Sequence, residues 1–284
     1  MRGHHIACIG ELLIDFVCTD IGLGLKQGAR FLKKAGGAPA NVAAAITRSG
    51  GQARLAAKVG HEPFGEFLIH TLEAEGIECA GVTRCATPTT LAFVGLQDDG
   101  ERDFTFCRGA DGELCWQDIP ADFLEDVGIV HFGAATGLLD GELYVTYQRL
   151  LHEAKRRGLL IAFDPNYRDG LWGQDPQEFI ARCTPWFLQA DIVKVSEEEL
   201  SFITGAKTST EGCRRLHDAG VSYVAVTCGR RGTWVSHRDG MQELIPSVPV
   251  DAIDSTGAGD AFIGALLAQI VQSGCTLDNW QQCL

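Results

Sequence analysis

The sequence predicts an α/β protein with a mostly parallel central sheet, helices on both faces of it, and a small β lid. Three observations predict this. Short apolar strand-like runs alternate with helix-length stretches along most of the 284 residues, which is the pattern of repeated β-α-β units. Two stretches, at about 16–35 and 89–108, break the alternation and read as extended chain inserted into it. The hydrophobic content of 45% lets a chain of this length bury a substantial core, here read as one domain over 1–284.

The elements follow in order. Ile6 to Ile9 is a short apolar strand, and Pro39 to Ser49 is a helix with proline near its first turn and Gly50-Gly51 stopping it. Leu55 to Val59 is strand-like, and Phe64 to Glu75 has helical periodicity ending at Gly76. Ile129 to Phe132 and Leu159 to Phe163 are apolar strands around a helix from about Gly141 to Arg157. Ile192 to Val195, a helix through Leu200, another from Glu211 to Ala219, strand Tyr223 to Thr227 and a helix Ala261 to Val271 complete the series. Phe16 to Ala35 offers no helix. Thr89 to Arg108 alternates Leu91, Phe93 and then Phe104, Phe106 around Asp98-Asp99-Gly100, a hairpin pattern. Two extended insertions in an α/β chain form a small sheet placed to cover a pocket, and Leu91, Phe93 and Phe104 give it an apolar face suited to a homodimer.

Composition narrows the function. A net charge of −13 argues against general nucleic-acid binding, which needs clustered Lys and Arg. No run approaches the ~20 apolar residues of a membrane helix, and strand-like Ile6 to Ile9 follows Met-Arg-Gly-His-His without room for a signal peptide. The 11 cysteines are scattered, with no C-x-x-C pair. They read as reduced core residues of a cytoplasmic protein. His61 reads as a solvated loop residue, and Trp172 and Trp186 as packing residues of the outer helices.

Two segments carry chemistry. In Asp254-Ser255-Thr256-Gly257-Ala258-Gly259-Asp260, small residues at 257–259 leave backbone N–H groups open at a helix start, an anion site. Asp260 stands beside it as a carboxylate able to take a proton from an attacking hydroxyl. In Gly36-Gly37-Ala38-Pro39-Ala40-Asn41, glycines admit a small ligand close to the backbone, and Asn41 offers donors and an acceptor.

Together these segments resemble the two signatures of the ribokinase-like (PfkB) carbohydrate kinases, in the right order and spacing over nearly the whole chain. The resemblance implies a ribokinase-like fold and an ATP-dependent sugar kinase using Mg²⁺. It implies that Gly257, Ala258 and Gly259 form the anion hole, that Asp260 activates the sugar hydroxyl, and that Asp15, Gly36, Gly37 and Asn41 bind sugar. Thr227-x-Gly229-x-x-Gly232 resembles the nucleotide-side loop, with Ser196 nearby. Asp164-Pro165-Asn166-Tyr167-Arg168 is similar to a stretch of fructokinases and 2-keto-3-deoxygluconate kinases, placing Arg168 at the ATP phosphates. Phe104 to Asp111, with Arg108 among the sugar contacts, looks like the fructokinase pattern, since the keto-deoxygluconate enzymes carry tyrosines there.

The chain departs from the family in two places. Ser196 replaces the asparagine of an N-x-x-E element, whose Glu199 is then an outer-shell ligand of Mg²⁺. Only 24 residues follow Asp260, whereas relatives continue to wall the adenine and finish a K⁺ site that Asp254 and Thr256 begin. Weakened ATP binding is therefore expected. Alternative acceptors are keto-deoxygluconate, ribose or a riboside, and a reading of another class is a non-catalytic sugar sensor. No P-loop, dinucleotide fingerprint or nucleophile elbow is present.

Overall fold

The computed structural model describes residues 3–20, 22–96, 102–173, 176–249 and 256–273. The expected turn at Asp98-Asp99-Gly100 and the residues Asp254 and Ser255 lie outside them. In chain order the elements are β1 (His5–Ile9), β2 (Leu13–Cys18), α1 (Gly24–Gln27), β3 (Phe31–Gly36), α2 (Ala38–Arg48), β4 (Gln52–Gly60), α3 (Pro63–Ala74), β5 (Glu78–Cys85), β6 (Leu91–Leu96) and β7 (Arg102–Cys107). Next come β8 (Val127–Gly133), α4 (Ala134–Gly137), α5 (Glu142–Arg156), β9 (Leu160–Asp164), α6 (Asp169–Trp172), α7 (Gln177–Phe187), β10 (Ile192–Ser196) and α8 (Glu197–Thr204). The last are α9 (Ser209–Asp218), β11 (Tyr223–Thr227), β12 (Thr233–His237), β13 (Gln242–Ile245) and α10 (Ala258–Gln272).

The main sheet has nine strands in the order β13-β12-β11-β10-β9-β8-β1-β4-β5. It is parallel from β5 to β11, and β12 and β13 add antiparallel strands at one edge. Parallel neighbours require crossovers, and the helices supply them on both faces. One core lies between the sheet and α5, α7, α8 and α9, with Phe132, Tyr147, Phe163 and Trp186 at its centre. The other lies under α2, α3 and α10 and includes Ile46, Leu68 and Leu267. Trp172 and Trp186 are buried in the first core, and His61 is exposed.

The second sheet has four strands in the order β3-β2-β6-β7. It starts at Leu13, earlier than the insertion at 16 expected from sequence, because Leu13 and Ile14 are buried and read as a continuation of the core. The stretch expected to lack helix holds the four-residue α1. The expected single apolar face also divides. Val94 pairs with Phe104 and Phe93 with Thr105 across β6 and β7, so Phe93 and Phe104 project to opposite sides. Phe93 stacks on Phe16 at 5.3 Å, whereas Phe104 stacks beside Phe106.

Candidate active site

A cleft of about 720 Å³ opens at the carboxyl ends of β1, β8, β9, β10 and β11, with the small sheet forming its opposite wall. Open parallel sheets bind ligands at this edge, where the chain leaves each strand in a different direction. Glu11 follows β1, Thr136 follows β8, Asn166 to Leu171 follow β9, and Ser196 and Thr227 end β10 and β11. Asp15, Lys34, Phe104 and Phe106 face them from the small sheet.

The glycine pair shapes one end. A Cβ on Gly36 would stand 2.1 Å from an Asp15 carboxylate oxygen, so glycine is needed for that side chain to lie where it does. Gly37 has φ of 106°, and its missing Cβ leaves room for the Glu11 carbonyl. Glu11 is 3% exposed. Its carboxylate accepts from the Ala38 amide at 3.1 Å and from the Thr136 hydroxyl at 3.0 Å. Burial first, then the Asp111 charge, push its pKa up to about 7 against those hydrogen bonds. Asp15 is pushed up to about 6, mainly by burial, with Arg168 and Lys34 working against the shift and Asp260 adding to it.

The helix α10 begins at the other signature. Gly257 is its N-cap with φ of 76°. The first amide bonded back to it is that of Ala261, so those of Ala258, Gly259 and Asp260 are the open donors of the helix start. Gly264 lets α10 approach α2, since a Cβ there would meet Ala45 Cβ at 2.5 Å. That close approach sets Asn41 Nδ2 to donate to Asp260 Oδ2 at 2.9 Å across 219 residues of sequence. Asp260 is buried, and its pKa is pushed up to about 6 by burial and Asp164, while Asn41, Lys194 and Arg168 oppose the rise.

The other expected site residues are placed as follows. Arg168 borders the cleft at the start of α6. Ser196 also borders it, and its hydroxyl caps α8 by accepting from the Glu199 amide at 3.1 Å. The Glu199 carboxylate accepts from the Ser196 and Tyr167 amides, both at 2.8 Å, so this buried residue holds the β10–α8 and β9–α6 connections together. Thr227 and Thr256 line the cleft. Gly229 and Gly232 do not; they form the turn before β12, where a Cβ on Gly232 would lie 1.9 Å from the Ile245 carbonyl oxygen. Arg108 is not brought to the cleft either. It lies 3.5 Å from Asp111 and donates to the Thr136 carbonyl at 3.4 Å.

Lys194 belongs to this site and was missed in the sequence. It lines the cleft from β10, is 6% exposed, and lies 3.1 Å from Asp164 Oδ2. A lysine within the apolar run Ile192 to Val195 carried the only signal. Among the described residues no group of three or more acidic, His or Cys side chains could cage a metal. Glu198 and Glu199 do bring hard oxygen donors to the cleft. That fits Mg²⁺, which keeps waters and is held through substrate phosphates with one or two carboxylates.

A pfkB family carbohydrate kinase profile matches residues 4–279. Fructokinase-1 of rice (Oryza sativa subsp. japonica) is 38% identical over 282 residues, 98% of this chain and 86% of that protein. A fructokinase of Vibrio cholerae solved with fructose, ADP and calcium superposes with a TM-score of 0.84 at 30% identity, covering 100% of this chain and 91% of that one. A sugar kinase of Pyrococcus horikoshii solved with ATP gives a TM-score of 0.82 at 35% identity, covering 94% and 84%. No described helix is long and apolar enough to cross a membrane.

Proposed function

The chain belongs to the pfkB family of carbohydrate kinases and is an ATP-dependent sugar kinase, and from its cleft we propose that fructose is the acceptor and Asp260 the catalytic base. The observation that carries this reading is the 2.9 Å bond from Asn41 to Asp260. It joins the sugar-side turn to the start of α10 in one cleft, where a bound hydroxyl would meet both the base and an anion site. The hydroxyl oxygen of the sugar's terminal CH₂OH attacks the γ-phosphorus of ATP in line. Its proton passes to the Asp260 carboxylate, the bond to the β-γ bridging oxygen breaks, and ADP leaves. The open amides at Ala258, Gly259 and Asp260 and the Arg168 guanidinium offset charge on the transferred group.

Asp15, Gly37 and Asn41 are read as sugar contacts, with Glu11 and Gly36 setting their geometry. Mg²⁺ bound with ATP near Glu198 and Glu199 supplies charge neutralisation of the phosphates. A K⁺ site at Thr256 and Asp254 rests on the resemblance alone. The small sheet is read as a lid. Exposed Phe31 and Leu32 on its β3 support the homodimer reading, which light scattering tests.

Fructose is favoured over keto-deoxygluconate because Glu11 and Asp15 face the sugar side together with Phe104 and Phe106. A carboxylate-bearing acceptor would meet like charge there. The test is ADP release with Mg-ATP and fructose, keto-deoxygluconate, ribose or no sugar, repeated with Asp260→Asn. Fructose-dependent turnover that falls by about 10²–10⁴ in the variant is expected. Turnover with the acid but not fructose would overturn the acceptor, and a near-normal kcat in Asp260→Asn would overturn the base.

A further inference from the structure

We propose that Lys194, seated by Asp164, is a positioning residue of phosphoryl transfer that acts on the start of α10 and keeps Asp260 in its proton-accepting form. The inference rests on the assignment of Asp260 as base.

The geometry starts at the glycine turn. A Cβ on Gly259 would lie 2.7 Å from Lys194 Nζ. The ammonium therefore packs against Gly259 at the helix start, and a side chain at that position would have to displace it. Lys194 is nearly buried, borders the cleft and has one described hydrogen bond, to Asp164 Oδ2 at 3.1 Å. Adjacent parallel strands hold the pair in register, since Ile192 of β10 is opposite Ala162 of β9 and Val193 opposite Phe163. Among the described residues Asp164 Oδ1 has no hydrogen-bond partner, and neither ring nitrogen of the buried His131 has one. Polar groups left this way in a core are costly and need a reason beyond packing.

Charge supplies the reason. The groups that act on Asp260 are Asp164 on β9 and Asp15 on β2, which disfavour its ionisation, and Lys194 on β10 and Arg168 before α6, which favour it; Asn41 on α2 donates to it. Burial works against a charged Lys194, but Asp164, Glu199 and Asp260 outweigh it and raise its pKa. His131 on β8 feels the same ammonium, and burial with Lys194 holds it neutral, down to about 3. Lys194 is thus the cation that offsets Asp164 beside the base, and the two act on Asp260 with opposite sign.

Opposite signs make the test specific. The pH dependence of kcat/KM for the sugar should be measured for Lys194→Met, Asp164→Asn and the double variant, with Asp260→Asn as a control. Lys194→Met should move the acidic limb up by about one unit, from loss of one opposite charge at short range. Activity would then be about tenfold lower on the acid side. Asp164→Asn should move the limb down, and the double variant should return it towards wild type. Should Lys194→Met not fold, the downward shift in Asp164→Asn, which keeps the side-chain shape, decides alone. Limbs that stay in place while activity falls equally at every pH would overturn the inference and assign the pair a structural role. If Asp260→Asn itself keeps turnover, the base assignment fails instead, so the two failures are told apart.

Discussion

Glu11→Gln should stabilise the protein at pH 8 and leave its stability at pH 4.5 nearly unchanged. The folded state holds the Glu11 carboxyl at about 7, against an ordinary 4.5, chiefly through burial. It therefore binds a proton more tightly than the unfolded chain does, and between those two pH values the folded state carries the proton while the unfolded chain has released it. Stability from this group is fully present below 4.5, falls as pH rises, and is gone above about 7. At about 1.4 kcal/mol per pKa unit, the whole fall is on the order of 3 kcal/mol. Glutamine has the same shape and does not titrate. Its carbonyl can still accept from the Ala38 amide, and the Thr136 hydroxyl can turn to accept from its NH₂ group. The wild-type protein loses this stability by pH 8 and the glutamine protein does not, so the variant should gain on the order of 3 kcal/mol there. Urea unfolding of both proteins at pH 5, 6, 7 and 8 gives the difference directly and cancels the titration of Asp15 and Asp260, present in both. A difference that stays flat across that range would refute the argument, because only a carboxyl that titrates inside it can produce the slope.

Two packing predictions follow from missing Cβ atoms. Helix propensity alone makes Gly264→Ala stabilising by about 1 kcal/mol, but the 2.5 Å approach to Ala45 Cβ should reverse the sign to a loss of about 1–3 kcal/mol. A raised urea midpoint would mean that α2 and α10 can part without cost. Gly36→Ala has no such interhelical contact; its Cβ would stand 2.1 Å from the Asp15 carboxylate and displace it. It should raise the KM for sugar about tenfold with the KM for ATP nearly constant, and equal changes in both would count against Asp15 as a sugar contact.

What could be read from sequence was what is encoded locally. The strand at Tyr223 to Thr227 and the helices around Ala43, Leu68 and Leu150 announce themselves by period, and Gly257-Ala258-Gly259-Asp260 by small residues ahead of a helix. What could not be read depends on distant partners. Helix α7 was not expected because Pro185 lies inside it, and β12 and β13 are short edge strands with too little apolar alternation to stand out. Lys194 looks like an interruption of a buried strand until Asp164, 30 residues earlier, is found beside it on β9. Glu11 is buried only because Ala38 and Thr136 close over it from two other elements. Gly229 and Gly232 carry a pattern that fits a ligand loop, and the tight turn they form, with Gly232 against Ile245, shows only in the fold.

The division of charge in the cleft bears on what the enzyme accepts. Glu11 and Asp15 stand at one end with Phe104 and Phe106, and each carboxyl is held at a raised pKa by burial. Such groups are expensive to ionise, yet above neutral pH they are charged, so they gain most from hydroxyl donors that a polyol sugar brings and water-filled space does not hold in place. An anionic acceptor would raise those pKa values further and lose binding as pH rises. A neutral sugar would instead bind better as the carboxylates ionise. Arg168 and Lys194 lie where the helix start offers its open amides, the arrangement suited to a polyphosphate. A chain of net charge −13 can therefore take a highly charged nucleotide, because Arg168 and Lys194 border the same cleft as the open amides of the helix start.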